Sequence, residues 1–406
     1  MITRRLVQFA GIALVSLFLV PSCASAKPNF APVVVRSNNT FAFDLYQRLS
    51  EENDGNLFFS PFSMSTALAM TYGGARGETA DQMRDVLHFD LEDEKLHETF
   101  GHLVRHLNQS AKRSGAELKV ANALWGQEDF EFKKKYRSLL KDDYMSPLER
   151  VDFRGEIEQA RGQINRWASD RTNGRIENLL PRGILNQFTR LVLTNAIYFK
   201  ASWMHPFEKN RTETGAFTRA DGSEVRVPMM NQTEQMGYME TDDFQMLSMP
   251  YEQAKLSMLF LLPKKKGELD EVAAEITEER FLELTGQLTN QRVAVTIPKF
   301  KLTTRLRLAD HLRKMGMVNA FDPQEADFTG MSRREDMHLQ AVVHKAYVDL
   351  DEKGTEAAAA TGVVAGVTAM PPGETITFRA DHPFLFLIRD RQTDSILFMG
   401  RVSDPS

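Results

Sequence analysis

The stretch that decides the fold runs Glu352-Lys353-Gly354-Thr355-Glu356-Ala357-Ala358-Ala359-Ala360-Thr361-Gly362 and continues to Pro371-Pro372. Alanine propensity favours a short helix between the two glycines. The small side chains, the lack of charge after Glu356 and a β-branched run beyond Gly362 equally allow a strand. A period of two would put one face of that strand at Thr355, Ala357, Ala359, Thr361 and Val363. These side chains are small enough to be buried, whereas Glu356 would face solvent.

Short β-rich runs and helical patterns are mixed on both sides of this stretch, without a steady βαβ alternation, which favours an α+β fold. The predicted strands are Leu118–Trp125, Leu191–Phe199, Met246–Met249, Ser257–Leu262, Val293–Pro298, His338–Leu350, Phe384–Arg389 and Ile396–Val402. The predicted helices are Phe41–Leu49, Pro61–Leu87 with a break at Gly73-Gly74, Glu156–Asn173, Asp270–Leu288 and Leu306–Met315.

Composition excludes several classes of protein. The 406 residues are 42% hydrophobic, enough to bury a large core, and the net charge of −5 with scattered basic residues does not indicate a nucleic-acid partner. A single cysteine excludes an internal disulfide framework and a cysteine-built zinc site. The sequence contains no G-x-S-x-G nucleophile elbow and no phosphate-binding loop, so it predicts neither a catalytic site nor a cofactor.

The first 26 residues are typical of an export signal. Arg4 and Arg5 precede the apolar run Phe9–Val20, which is short for a membrane span, and Ala24-Ser25-Ala26 supplies a cleavage pattern. A membrane anchor is the alternative for this run. Cys23 also lies in a partial lipobox, so a lipoprotein anchored through Cys23 is a second alternative to a secreted or periplasmic protein. Residues 27–39, rich in Pro and Asn, are predicted to form a flexible tail.

Five separated motifs resemble the serpin family, and the resemblance covers residues 40–406 as a single domain. The motifs are Glu352–Thr361, Asn56-Leu57-Phe58-Phe59-Ser60-Pro61-Phe62-Ser63, Leu193–Lys200 with Trp203, Pro383–Arg389, and Leu397–Val402. The resemblance implies three β-sheets surrounded by eight or nine helices and an exposed reactive-centre loop at about 352–372. It further implies an inhibitory serpin, exported from a prokaryote, that acts as a monomer and needs no cofactor.

In this family the loop is offered to a serine protease as a suicide substrate. The protease acylates itself on the loop, which then inserts into the main sheet and traps the enzyme as a covalent 1:1 complex. By resemblance, the hinge is Glu352, Gly354, Thr355, Glu356, Ala357, Ala358, Ala359, Ala360 and Thr361. The shutter, a buried cluster under the sheet, is Ser60, Ser63, Asn195 and His344, and the breach, where insertion begins, is Trp203, Lys299 and Glu352.

The family's spacing from the hinge glutamate puts the cleaved bond at Thr368-Ala369. A small β-branched residue there favours an elastase-like or subtilisin-like target, and cleavage at Val367 or Ala369 would lead to the same conclusion. Cleavage at Met370 would instead indicate a chymotrypsin-like target. Two other functions are open at this point: a non-inhibitory serpin acting as carrier or chaperone, and a hydrolase built on Ser and His.

Overall fold

The computed structural model describes residues 32–146, 148–333, 336–356 and 375–406. Its α-helices are α1 (Pro32–Ser50), α2 (Pro61–Tyr72), α3 (Gly77–Val86), α4 (Asp93–Arg113), α5 (Lys134–Asp142), α6 (Ile157–Arg171), α7 (Leu269–Ala274), α8 (Glu278–Gly286) and α9 (Ala309–Lys314). Its first strands are β1 (Leu57–Phe59), β2 (Glu117–Gln127), β3 (Leu148–Val151), β4 (Leu191–Ser202), β5 (Glu213–Thr218), β6 (Glu224–Glu240), β7 (Phe244–Pro250) and β8 (Leu256–Pro263). The remaining strands are β9 (Thr289–Pro298), β10 (Phe300–Arg307), β11 (Leu339–Asp351), β12 (Gly354–Thr355), β13 (Ile376–Arg379), β14 (Phe384–Asp390) and β15 (Ile396–Val402).

A six-stranded sheet carries the candidate site. Its strand order is β10-β11-β12-β4-β2-β3, and the two-residue strand β12 separates β11 from β4 at one end only. Beyond that wedge, β11 and β4 pair directly as parallel strands, from Tyr347 opposite Tyr198 down to Leu339 opposite Leu191. We call this direct β4–β11 pairing the seam.

The remaining strands form a nine-stranded array. The 17-residue strand β6 pairs with β7 at its carboxyl end, with β9 along most of its length and with β5 at its start. Because β6 is continuous and pairs with strands at both of its ends, the described residues form two hydrogen-bonded sheets where three are predicted. The predicted α+β class is confirmed, with nine α-helices among the residues described.

Both faces of the six-stranded sheet are covered. Alternate residues of β4 point to opposite sides: Leu193 and Ile197 join the main core with α1 and α2, whereas Val192 and Ala196 pack against α6. We call these the inner face and the outer face. Helix α2 is buried along its whole length, which its nearly all-apolar or small sequence permits. It begins at Pro61, where the Ser60 hydroxyl accepts a hydrogen bond from the Ser63 N–H at 3.1 Å.

The prediction of a flexible tail over residues 27–39 is wrong from Pro32 onward. Residues 32–39 form the first half of α1, because Val34 and Val35 bury an apolar face and two asparagines find partners at the carboxyl-terminal strand. Asn39 accepts a hydrogen bond from the Ile396 N–H at 2.9 Å, and Asn38 donates to the Ile396 carbonyl at 3.1 Å. The predicted signal, residues 1–26, lies outside the described residues.

Two local predictions also need correction. The single helix expected over Asp270–Leu288 is two helices, α7 and α8, and α8 starts afresh where Thr277 caps the Arg280 N–H. The sequence patterns did not predict the strands β1, β3, β5, β6, β10 and β13 or the helices α4 and α5. The 17-residue strand β6 does not keep a clean alternation over its length. Among the helices of the described residues, none is both long and apolar enough to cross a membrane.

Candidate functional site

The wedge at the top of the seam is the start of the predicted hinge. Thr355 pairs antiparallel with Leu350 of β11 on one side and with Ala201 of β4 on the other. Gly354 has φ +151°, and a Cβ on it would come within 2.0 Å of the Ala201 carbonyl oxygen. Only glycine therefore lets the chain enter the sheet at this point.

Thr355 points toward the inner face, as the period-two pattern predicts. Its side chain is fully buried, and its hydroxyl lies 2.7 Å from the hydroxyl of Tyr251. The ring of Tyr251 stacks on Trp203, with centroids 4.6 Å apart. The first inward residue of the hinge is thus already packed in the core.

The three predicted breach residues lie together beside the wedge. Lys299 Nζ is 2.9 Å from one carboxylate oxygen of Glu352, and the Thr212 hydroxyl donates to the other at 2.9 Å. Trp203 donates its indole N–H to the Asp351 carbonyl at 3.1 Å, and its backbone N–H to the Lys353 carbonyl at 2.8 Å. Burial would raise the pKa of Glu352, but the bonds from Lys299 and Thr212 outweigh it and leave the pKa below its ordinary value.

Glu356 does not face solvent as predicted. Its side chain is only 10% exposed, because the carboxylate forms an ion pair with Arg175, which lies just after α6. The prediction fails because Arg175 covers the carboxylate on the outer face, and the strand ends at Glu356, which has φ +46°. Burial raises the pKa of Glu356, and Arg175 opposes that rise.

The four predicted shutter residues form one hydrogen-bonded cluster at mid-seam, on the inner face. Asn195 and His344 are directly opposite each other on β4 and β11, and their side chains are hydrogen-bonded. The other ring nitrogen of His344 accepts from the Ser60 N–H at 3.2 Å. Ser60 in turn donates its hydroxyl to the Leu397 carbonyl at 2.6 Å, which ties the cluster to β15.

Asn122 on β2 is a fifth member that sequence reasoning missed. It accepts from the Ser63 hydroxyl at 2.9 Å, donates to the Ser63 carbonyl at 3.1 Å, and also accepts from Asn195. A single polar residue on the otherwise apolar inward face of β2 was the available signal.

Burial keeps His344 neutral. Its side chain has no exposed surface, and this lowers the pKa of His344 to about 3. Because the Nε2 atom accepts from the Ser60 N–H, the proton of the neutral ring lies on Nδ1 and is donated to Asn195. A fully neutral cluster of this kind can exchange partners without moving a charge through the core.

The rest of the predicted site lies outside the described residues. This holds for the hinge residues Ala357, Ala358, Ala359, Ala360 and Thr361 and for the reactive bond Thr368-Ala369. The described part is a sheet that is wedged apart at one end, with two parallel strands continuing below the wedge. Among the described residues, no group of three or more His, Cys, Asp or Glu side chains could hold a metal ion.

Comparison with known proteins agrees with this architecture. Residues 36–405 match the family model described as Serpin (serine protease inhibitor). An uncharacterised serpin-like protein of Thermococcus kodakarensis is 42% identical over 92% of this chain and 86% of its own length. The leukocyte elastase inhibitor of Xenopus laevis is 40% identical over 90% of this chain and 97% of its own. The solved structure of human thyroxine-binding globulin superposes with a TM-score of 0.83, at 32% identity, over 92% of this chain and 98% of that one. With the family matched over nearly its whole length and the hinge seated in its main sheet, the chain belongs to the serpin family.

Proposed function

We propose that this serpin inhibits serine proteases as a suicide substrate and is not itself an enzyme. The observation that carries the proposal is the wedge: Gly354 and Thr355 already occupy the first position of a new strand between β11 and β4. The residues that would follow, Ala357 to Thr361, are small and uncharged, so they would enter the sheet without burying a charge.

The proposed reaction begins as ordinary acyl transfer. The protease serine oxygen bonds to the carbonyl carbon of Thr368, the peptide bond to Ala369 breaks, and the new amine of Ala369 takes up a proton. The product is an ester between the protease and the loop. If insertion outruns attack by water on this ester, the protease stays attached and is carried with the loop.

The driving force follows from the sheet. An inserted strand would replace the single β4–β11 ladder by two ladders, continuing the antiparallel register of Thr355 with Leu350 and with Ala201. Each added backbone hydrogen bond contributes about 1 kcal/mol net, so about a dozen inserted residues supply a large driving force. The proposed target is elastase-like or subtilisin-like, because Thr368 fits a small specificity pocket.

The alternative is a non-inhibitory serpin that carries a ligand or acts as a chaperone. The likeness to thyroxine-binding globulin is the observation that supports it. The small, uncharged hinge sequence favours the inhibitor, since fast insertion is needed for trapping but not for carrying.

Mixing the protein with pancreatic elastase, followed by a denaturing gel and mass spectrometry, tests the proposal. A covalent band at the summed mass, with the new amino terminus at Ala369, is the expected result. Complete cleavage of the loop without a covalent band would contradict inhibition and favour the alternative function, a non-inhibitory serpin. Turnover of a peptide substrate by the protein alone would contradict both.

We further propose that the protein is exported, with cleavage after Ala26 and release to the periplasm or the medium. The support is the signal-like pattern of residues 1–26. Amino-terminal sequencing of the mature protein should begin at Lys27. An acylated Cys23 at the amino terminus would replace secretion by a lipid anchor.

A further inference from the structure

The segment after α6 crosses the outer face of the six-stranded sheet. Its contacts reach four positions across that sheet in turn. They are Asn173 with Glu117 and Lys119 of β2, Arg175 with Glu356 at the end of β12, the Glu177 carbonyl with Lys345 of β11, and the Asn178 carbonyl with Arg305 of β10. We call Asn173–Asn178 the crossing segment. Any strand that enters the seam must pass beneath it.

Arg175 is the residue of the crossing segment that lies over the top of the seam, where β12 separates β4 from β11. Its guanidinium carbon is 5.8 Å from the ring centroid of Tyr347, and Tyr347 is directly opposite Tyr198 in the uppermost β4–β11 pair. Glu356 lies beside the same two strands, since its N–H donates to the Asp349 carbonyl of β11 and Thr355 just before it pairs with Ala201 of β4. The ion pair of Arg175 with Glu356 therefore lies where the two strands first come together.

Further insertion would require a different position for Glu356. Continuing the observed register places Glu356 opposite Asp349 on one side and Lys200 on the other, in extended conformation. Directly opposite residues share a face, so its carboxylate would then lie beside Lys200. To reach that position Glu356 must change from φ +46° to a β conformation, and this change moves its carboxylate relative to Arg175 and disturbs the ion pair. Withdrawal of the hinge from the sheet breaks the same ion pair.

We propose that Arg175 is a positioning residue that latches the hinge at Thr355, opposing both withdrawal of the hinge and insertion of Ala357. The latch is a charged contact in which the Glu356 side chain is 10% exposed and the Arg175 side chain 49% exposed. An ion pair with one partner buried and the other half in water contributes about 1 kcal/mol, so it can bias the position of a two-residue strand. The inference rests on the proposed function for its consequence but not for its geometry.

Hydrogen exchange on the uncut, full-length protein tests the latch directly. The Glu356 N–H donates to the Asp349 carbonyl at 2.6 Å, so its exchange rate reports whether the hinge stays docked. Arg175→Met should speed exchange of this amide by about fivefold or more. The matched control is Arg171→Met, since Arg171 lies four residues earlier on the end of α6 and contacts only the Trp167 ring among the contacts described. An unchanged rate in Arg175→Met would overturn the latch.

A charge exchange separates pairing from a general structural effect. Arg175→Glu and Glu356→Arg should each speed exchange of the residue 356 amide, and the double variant should restore the slow rate. Arg175→Lys, which keeps the positive charge, should retain most of the slow exchange of this amide. If the double variant exchanges as fast as the single ones, residue 175 acts through something other than its pair with residue 356, and the latch is wrong.

The functional consequence is measured separately. In Arg175→Met the uncut protein should lose its inhibitory activity on storage several-fold faster than the parent, because the hinge meets a lower barrier to insertion. If the parent traps no protease at all, the proposed function fails while the exchange experiment still decides the latch. If the parent traps protease and Arg175→Met neither exchanges nor inactivates faster, only the latch fails.

Discussion

The top and the middle of the seam are held by different chemistry. At the top, beside the wedge, charged groups predominate: Glu352 pairs with Lys299, and Glu356 pairs with Arg175. At mid-seam, Asn195 and His344 belong to a cluster that is neutral and fully enclosed. At the top, Lys299 and Arg175 remain partly in contact with water, so their bonds can be exchanged for hydration. At mid-seam, a broken hydrogen bond must be replaced by another one within the protein. This difference explains why a strand begins at the top.

The largest expected effect comes from completing the insertion of the loop between β4 and β11. Cutting the uncleaved loop with a protease should raise the melting temperature by roughly 10 °C or more, because the freed hinge can fill the seam with two new ladders. Thermal scans before and after cleavage, on the same preparation, measure this. A lower or unchanged midpoint after complete cleavage would contradict insertion into the seam.

Thr355→Arg should abolish trapping, because residue 355 could no longer be buried at the top of the seam. Thr355 is fully buried against Tyr251, so a long cation there would be left without a partner, at a cost of several kcal/mol. The loop would still be cut, but the covalent band should disappear and protease activity should recover. Thr355→Val, which keeps the size and β-branching, is the control and should still trap. Equal trapping by Thr355→Arg and the parent would show that this inward position is not needed for insertion.

The middle of the seam should respond to pH through His344. Since burial lowers the pKa of His344 to about 3, the unfolded chain binds a proton below about pH 6.5 that the folded chain does not. The free energy of unfolding should therefore fall by about 1.4 kcal/mol per pH unit from this group between pH 6.5 and 3. His344→Gln should remove that share of the slope in urea unfolding at pH 7 and pH 5.

His97 provides the matched control for this prediction. Burial on α4, where it is hydrogen-bonded to Tyr144, lowers the pKa of His97 to about 4. His97→Gln should reduce the pH slope similarly, yet only His344→Gln should change the rate of loop insertion. If both variants change that rate alike, the effect belongs to overall stability and not to the seam.

The smallest expected effect is at the breach. Lys299→Met removes the partner of Glu352, whose side chain is 5% exposed, but Thr212 remains and Lys299 is itself partly solvated. The free energy of unfolding should fall by about 1 to 2 kcal/mol in urea titrations. Lys301→Met, two residues along β10 and paired with Asp349 in a more exposed position, should lose only a few tenths. Equal losses in the two variants would remove the distinction between the breach and an ordinary surface pair.

Much of the site could be predicted because the family resemblance is carried by contiguous motifs. The hinge, the start of α2 and the strands β4, β14 and β15 each have a sequence of several residues that is informative by itself. Asn122 and Arg175 were not predicted, because neither belongs to such a motif. Asn122 meets Asn195, 73 positions away, through strand pairing, and Arg175 meets Glu356 because a segment crosses the sheet.

By itself, the sequence determined which residues can occupy the seam. Small uncharged side chains after Glu356, a glycine at 354 and polar groups at 60, 63, 195 and 344 are properties of residue type, and residue type sets what can be buried. Only the tertiary structure decided at which residue the strand β12 ends. A positive φ at Glu356, the crossing segment above it and the rejoining of β4 with β11 below it come from residues far apart in the chain. Contacts of that kind leave no local pattern, because their energy depends on which surfaces the fold brings together.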